Sequence, residues 1–182
     1  MKLMIASDIH GSAYFCRKLM SAFEAEKPDK LLLLGDILYH GPRNDLPRDY
    51  APKEVIAMLN PVADKILCVR GNCDAEVDEM VLNFPVLADY AEIFFGGKMI
   101  FATHGHHHNP ENPPKAIDGG ILLNGHTHVS DCRDCGNFVY INPGSVSIPK
   151  NGTPNGYIIA DEAPLKFTWK TVDGEIYREK II

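Results

Sequence analysis

No apolar run in this sequence is long enough to cross a bilayer. Runs such as Leu31–Leu34 are far short of the roughly 20 residues a membrane helix needs. No basic segment followed by a long apolar stretch and a small-residue cleavage site precedes Lys2–Ala6, so no secretory signal is read. The expectation is a cytoplasmic protein without a membrane partner. An excess of basic residues is missing too. Lys and Arg number 18 against 24 Asp and Glu, for a net charge of −6. Nothing here makes the electrostatic footprint that stable nucleic-acid binding requires. Cysteines are few and odd in number, five in all, which reads as free thiols in a reducing compartment. There is no internal repeat, low-complexity tract or linker-like stretch, so residues 1–182 read as one domain. A hydrophobic share of 45% and a charged share of 23% argue against disorder. A chain of 182 residues buries a full core without disulfides or a structural metal.

The first two-thirds of the chain alternate strand-like and helix-like segments. Lys2–Ala6, Leu31–Leu34 and Ile66–Val69 read as buried strands. Ser12–Glu26 reads as a helix capped by Ser12, with Phe15, Leu19 and Phe23 on one face and Pro28 ending it. Pro52–Asn60 reads as a second helix with Pro52 in its first turn, and Ala75–Leu82 as a third. Later segments are strand-like: Lys98–Thr103, Ile121–Asn124, Phe138–Asn142, Tyr157–Asp161, Leu165–Thr171 and Glu175–Ile181. In Leu165–Thr171, Leu165, Phe167 and Trp169 mark a buried face, and Lys166, Thr168 and Lys170 a wet one. Asp173-Gly174 signals a hairpin turn. An α/β half followed by a β-rich half predicts two packed sheets with helices outside. The apolar residues of the last strands are read either as core or as a subunit interface, which leaves a homo-oligomer open.

Polar residues collect where the strands end. The sequence places Asp8-Ile9-His10-Gly11, Gly35-Asp36, Gly71-Asn72-Cys73-Asp74, Thr103-His104-Gly105-His106 and Asn124-Gly125-His126-Thr127-His128 after five apolar strands. Ligands of open α/β sheets bind outside the carboxyl ends of the strands. In Asp8-x-His10 and His126-x-His128, residues i and i+2 of an extended chain face one side and embrace one ion. Carboxylate, amide oxygen and imidazole together suit manganese, zinc or iron rather than a thiolate site. Seven such side chains (Asp8, His10, Asp36, Asn72, His104, His126 and His128) are too many for one ion and suit two. Any one of these motifs alone is more simply a strand-end cap, a turn or a hydrogen-bonded core histidine. Five in order, each after an apolar strand, point to a metal site. Cys132-x-x-Cys135 lacks the second pair that structural zinc needs and reads as a hairpin loop.

In this order the motifs resemble the calcineurin-like metallophosphoesterase superfamily. The stretches Gly35–Asn44, Arg70–Asp74 and Asn142–Ser147 are similar to its small bacterial and archaeal phosphodiesterase branch, the YfcE-like proteins. The resemblance runs from Met1 to about Gly156. It implies a mixed α/β fold, a four-layer α-β-β-α sandwich of two mixed sheets flanked by helices. It implies that Asp8, His10 and His128 hold one divalent ion and Asn72, His104 and His126 another, with Asp36 bridging. Manganese is the foremost ion, with zinc, iron, nickel and cobalt also acceptable. It further implies a phosphodiesterase in which a metal-bridging hydroxide attacks a small phosphodiester in line. Many members carry His after the Gly-Asn as a leaving-group donor. Here that residue is Cys73, a weaker acid–base substitute, which favours diesters over alkyl monoesters, and His106 is the next candidate donor. His40 and Arg43 are candidate substrate contacts, Arg by bidentate phosphate bonding. His107 and His108 read as exposed loop residues. The alternatives are a phosphomonoesterase or nucleotide phosphatase, and a metal-binding interaction scaffold of the same fold, a role known for a retromer subunit.

Overall fold

The computed structural model describes residues 1–182. Eleven strands form two sheets. In the six-stranded sheet, β1 (Lys2–Ala6), β2 (Lys30–Leu33) and β3 (Ile66–Cys68) run parallel, and β9 (Gly156–Glu162), β10 (Leu165–Thr171) and β11 (Ile176–Ile181) continue it antiparallel, in the order β11-β10-β9-β1-β2-β3. The second sheet is ordered β4-β5-β6-β8-β7. It comprises β4 (Ala91–Phe95), β5 (Lys98–Ala102), β6 (Ile121–Leu123), β7 (Ser130–Asp134) and β8 (Val139–Pro143). Strands β5, β6 and β8 run parallel, with antiparallel β4 and β7 at the edges.

The period of two along each strand sorts the core. In β1, Leu3 and Ile5 face the second sheet, while Met4 and Ala6 face the helices. In β9, Ile158 and Ala160 face inward and Tyr157 and Ile159 outward. The facing sheet contributes Ile100, Ala102, Ile121, Leu123 and Ile141 to the central layer, and β10 adds Leu165, Phe167 and Trp169. Apart from alternating β10, these strands are buried on both faces, which is why they read as largely apolar runs. The expected wet face of β10 is only partly wet. Lys166 and Lys170 are half-buried but Thr168 is buried.

The outer layer over the six-stranded sheet is built by α1 (Ala13–Glu26) and α2 (Pro52–Leu59), with Cys16, Leu19, Phe23, Val55 and Leu59 buried against it. Ser12 caps α1, its hydroxyl accepting from the Phe15 N–H at 3.3 Å. The helix stops at Lys27, left-handed at φ 50°, ahead of Pro28. A 3₁₀ segment, Asn60–Lys65, continues α2. The third helix, α3, is one turn (Glu76–Glu79) rather than the longer Ala75–Leu82. Over the other sheet, Phe101, Leu122, Phe138 and Tyr140 are covered by Ile117 from the irregular chain 105–120, with no α-helix there.

Three further expectations change. Strands β4 and β7 are additional, and Cys132 lies in β7 rather than in a loop, with Cys135 just beyond it. All five cysteines are free. The last strands divide between the two readings: β9 and β10 are core, whereas edge strand β11 exposes Ile176 and Ile181. No helix is long and apolar enough to cross a membrane.

Candidate metal centre

The carboxyl ends of the parallel strands meet at one place. Beyond β1 stand Asp8 and His10, beyond β2 Asp36, beyond β3 Asn72, beyond β5 His104, and beyond β6 His126 and His128. All seven side chains named from the sequence come together. His128 Nε2 lies 3.2 Å and His10 Nε2 3.5 Å from Asp8 Oδ1. His10 Nε2 and His104 Nε2 lie 3.6 and 3.4 Å from Asp36 Oδ2, so that oxygen sits between the two halves of the cluster. Asn72 Oδ1 and His126 Nδ1 are 3.1 and 3.2 Å from His104 Nε2. Asp8, His10 and His104 are fully buried, and Asp36 and His128 nearly so.

The rings are held by their far sides. His10 Nδ1–H donates to the Tyr39 carbonyl at 2.8 Å, His104 Nδ1–H to that of Leu34 at 2.6 Å, and His128 Nδ1–H to that of Ile148 at 2.8 Å. A hydrogen on Nδ1 leaves Nε2 as a bare lone pair in a neutral ring. His10 Nε2 and His128 Nε2 nevertheless face each other at 3.2 Å, flanked by carboxylate oxygens. Such a gathering needs positive charge, supplied by a bound cation or by protons on the rings. Asp8 Oδ1, buried in its midst, accepts no hydrogen bond. A buried carboxylate oxygen without a partner is costly, and a divalent ion satisfies it. The donor set of carboxylate, amide and imidazole fits such an ion, and backbone carbonyls behind the imidazoles are the usual outer support of metal-ligating histidines.

The backbone reaches this geometry under strain. Asp8, His10, Asp36, His126 and His128 all have positive φ, between 50° and 64°. Each costs a non-glycine residue about 1–3 kcal/mol and persists only where surrounding structure enforces it. The extended i, i+2 geometry expected for Asp8-x-His10 and His126-x-His128 is therefore absent: left-handed turns, not pleated strands, aim these side chains. The enforcement is visible. Asp8 N–H bonds to Gly35 O at 3.1 Å and His10 N–H to Asp36 O at 2.9 Å. His126 N–H donates to Asp8 Oδ2 at 3.1 Å. Two glycines make room. A Cβ on Gly125 would meet Ser7 Oγ at 1.9 Å and Asp8 Oδ2 at 2.9 Å, and one on Gly71 would meet Asp36 Oδ1 at 2.1 Å.

Asp74 organises the loops beneath. Its carboxylate accepts from the N–H groups of Asp36 (2.8 Å), Ile37 (2.9 Å) and Gly71 (2.7 Å). Burial pushes its carboxyl up, and the bonds from Ile37 and Gly71 oppose this. Burial also raises the Asp8 carboxyl, but the adjoining His10 and His128 rings outweigh it and hold Asp8 well below the usual range. For Asp36, burial raises and His104 lowers, with a net lowering.

Cys73 lies beside the centre, its N–H donating to Asp36 Oδ1 at 2.8 Å. Burial, then the charges of Asp36, Asp74 and Asp8, push its thiol up to about 12. The His106 ring stands 5.4 Å from that of His104 and 6.1 Å from that of His126. Burial and the neighbouring imidazoles pull His106 down to about 4. A polar cleft of about 340 Å³ opens over the cluster, lined by Arg43, Asn72, Cys73, His126 and His128 among others. His40 is not in that lining. Its ring stands edge-on to Tyr39 and Tyr50, with centroids at 4.8 and 5.2 Å. His108 is packed edge-on to Phe101 rather than projecting freely. Sequence reasoning missed Lys150, which lines the cleft from a turn after β8 and carries no motif signal.

Known proteins share this fold. The calcineurin-like phosphoesterase superfamily domain matches residues 1–163. The phosphodiesterase YfcE of Escherichia coli K12 is 47% identical over 161 residues, 88% of either chain. The structure of the E. coli phosphoesterase YfcE superposes with a TM-score of 0.94 at 43% identity, covering all of both chains. A Vps29 variant from Entamoeba histolytica shares the fold alone, with a TM-score of 0.66 at 21% identity over all of this chain and 99% of that one. The chain belongs to the calcineurin-like phosphoesterase superfamily.

Proposed function

We propose that residues 1–182 form one metal-dependent phosphodiesterase domain that hydrolyses a small phosphodiester at a two-metal centre. Asp8, His10 and His128 would hold one ion and Asn72, His104 and His126 the other, with Asp36 shared, and manganese is the ion we favour. Bound there, divalent cations supply charge neutralisation for the phosphoryl oxygens and lower the pKa of attacking water. The observation that carries this reading is the convergence of imidazole nitrogens and carboxylate oxygens on two adjoining points.

The chain's own residues do the rest. The strained, hydrogen-bonded loops fix the donors before substrate arrives, so little reorganisation accompanies reaction. Arg43 lines the cleft and offers a cationic contact to an anionic substrate, and the His40 ring packs edge-on against Tyr39 and Tyr50. Cys73, a neutral thiol, is a poor proton donor to a leaving alkoxide, and so is His106 as a neutral ring, so esters with stable leaving groups are favoured. This supports a diesterase over an alkyl monoesterase or nucleotide phosphatase. A complete donor set supports catalysis over a pure interaction scaffold. The net charge of −6 supports a small substrate rather than nucleic acid, and five free cysteines support residence in a reducing cytoplasm. The test is turnover of bis-p-nitrophenyl phosphate beside p-nitrophenyl phosphate by chelator-stripped protein reloaded with Mn²⁺. Metal-dependent diester turnover exceeding monoester turnover is expected. Faster monoester turnover would overturn the assignment.

A further inference from the structure

The cleft over the metal centre has walls that a simple diester does not use. Of its eleven lining residues one is hydrophobic, and none is Phe, Tyr or Trp. A nucleobase or lipid chain would find no stacking platform or apolar wall there. What the walls do carry is cationic: Arg43 from the loop after β2 and Lys150 from the turn after β8. Both side chains are exposed. Carboxylates elsewhere engage Lys2, Arg17, Lys18, Arg133, Lys166 and Lys170 in ion pairs, but Arg43 and Lys150 are in none. The single carboxylate in the lining, Asp36, is already committed to Cys73 N–H and to the imidazoles.

The backbone that carries the two cations is held in place. Lys150 N–H donates to the carbonyl of His128 at 2.9 Å, and Thr153 ties the turn back through bonds to Lys150 O from its N–H (3.1 Å) and hydroxyl (2.9 Å). The Arg43 loop is closed by Asn44, whose N–H bonds to Gly41 O at 3.3 Å and whose amide bonds to His40 O at 2.9 Å. On a chain that is negative overall, two unpaired cations flanking one small polar cleft form a local anion receptor.

We propose that the site takes phosphodiesters whose retained alcohol part is short and polar and carries a second anionic group, received by Arg43 and Lys150. This deepens the phosphodiesterase reading above and rests on it. The scissile phosphate lies against the metal centre, and the second anion lies toward the rim, where long cationic side chains reach it. Lys150 thereby sets specificity without touching the reacting atoms.

The test compares propyl p-nitrophenyl phosphate with 2-carboxyethyl p-nitrophenyl phosphate on Mn²⁺-loaded protein. Leaving group and chain length are matched, and one terminal charge differs. The unaltered protein is expected to prefer the carboxylate compound through a lower KM, and added salt is expected to erode the preference. Lys150→Gln and Arg43→Gln should each remove about threefold to tenfold of that preference, the scale of a rim charge contact, while Lys150→Arg retains it. No preference in the unaltered protein would overturn the proposal. Equal losses on both compounds would overturn it too, since the cations would then be holding the scissile phosphate. Turnover of neither compound would instead contradict the phosphodiesterase reading, and the proposal with it.

Discussion

His10 and His128 point their Nε2 atoms at each other across 3.2 Å while both Nδ1 atoms are spent on backbone carbonyls. A divalent ion seated between them uses both lone pairs. Replacing His128 by Gln should therefore weaken metal uptake without unfolding the protein, lowering affinity by at least about tenfold to a hundredfold, the range found when even supporting groups of metal sites are lost. Isothermal titration with Mn²⁺ measures it.

Asp36 Oδ2 lies against one ring from each half of the cluster, 3.6 Å from His10 Nε2 and 3.4 Å from His104 Nε2. As a hypothesis, Asp36→Asn should lower diester kcat by about 10²–10³-fold or more, the scale of losing a preorganised electrostatic group. Cys73→Ala should cost far less, since its thiol is neutral near pH 7. Comparable losses in the two variants would argue against a shared carboxylate.

Asp74 touches no substrate, yet its removal should be severe. Asp74→Ala orphans the N–H groups of Asp36, Ile37 and Gly71, each worth about 1–3 kcal/mol when buried unpaired. A loss of about 3 kcal/mol or more in urea unfolding is expected, and a smaller loss in Asp74→Asn, which keeps one acceptor. A loss under about 1 kcal/mol would mean those loops hold themselves.

These effects mark what was legible in the sequence. The buried strands β1, β2, β5, β6 and β9 announce themselves because both faces are apolar, and β10 does so by its alternation. Strand β4 does not, since as an edge it leaves Phe94 80% exposed, and polar β7 resembles a loop. The seven clustered side chains were readable as types at strand ends, but the left-handed turns that aim them were not. Positive φ in Asp and His leaves no trace in composition. Lys150 was invisible because a lone lysine in a turn looks like any solvated one until its neighbours are known.

The pH behaviour of chelated protein follows from His104. Burial pulls this imidazole down, but its bond to Asp36 and the charges of Asp8 and Asp36 carry it up to about 9. A raised folded value stabilises the protonated form fully below about pH 6.5, and the contribution fades as pH rises through about 9. Thermal melts in chelator should show Tm falling over that window, and His104→Gln should flatten the fall. Metal binding displaces the same proton, so affinity should rise over the same interval. A Tm in chelator that climbs with pH would contradict the assignment.

The most direct measurement is a Mn²⁺ titration of stripped protein that follows bound metal and bis-p-nitrophenyl phosphate turnover in one experiment. A two-ion centre built by seven converging side chains predicts two ions per chain, with full turnover only when both are bound. Saturation at one ion with full activity, or turnover undiminished in chelator, would contradict it.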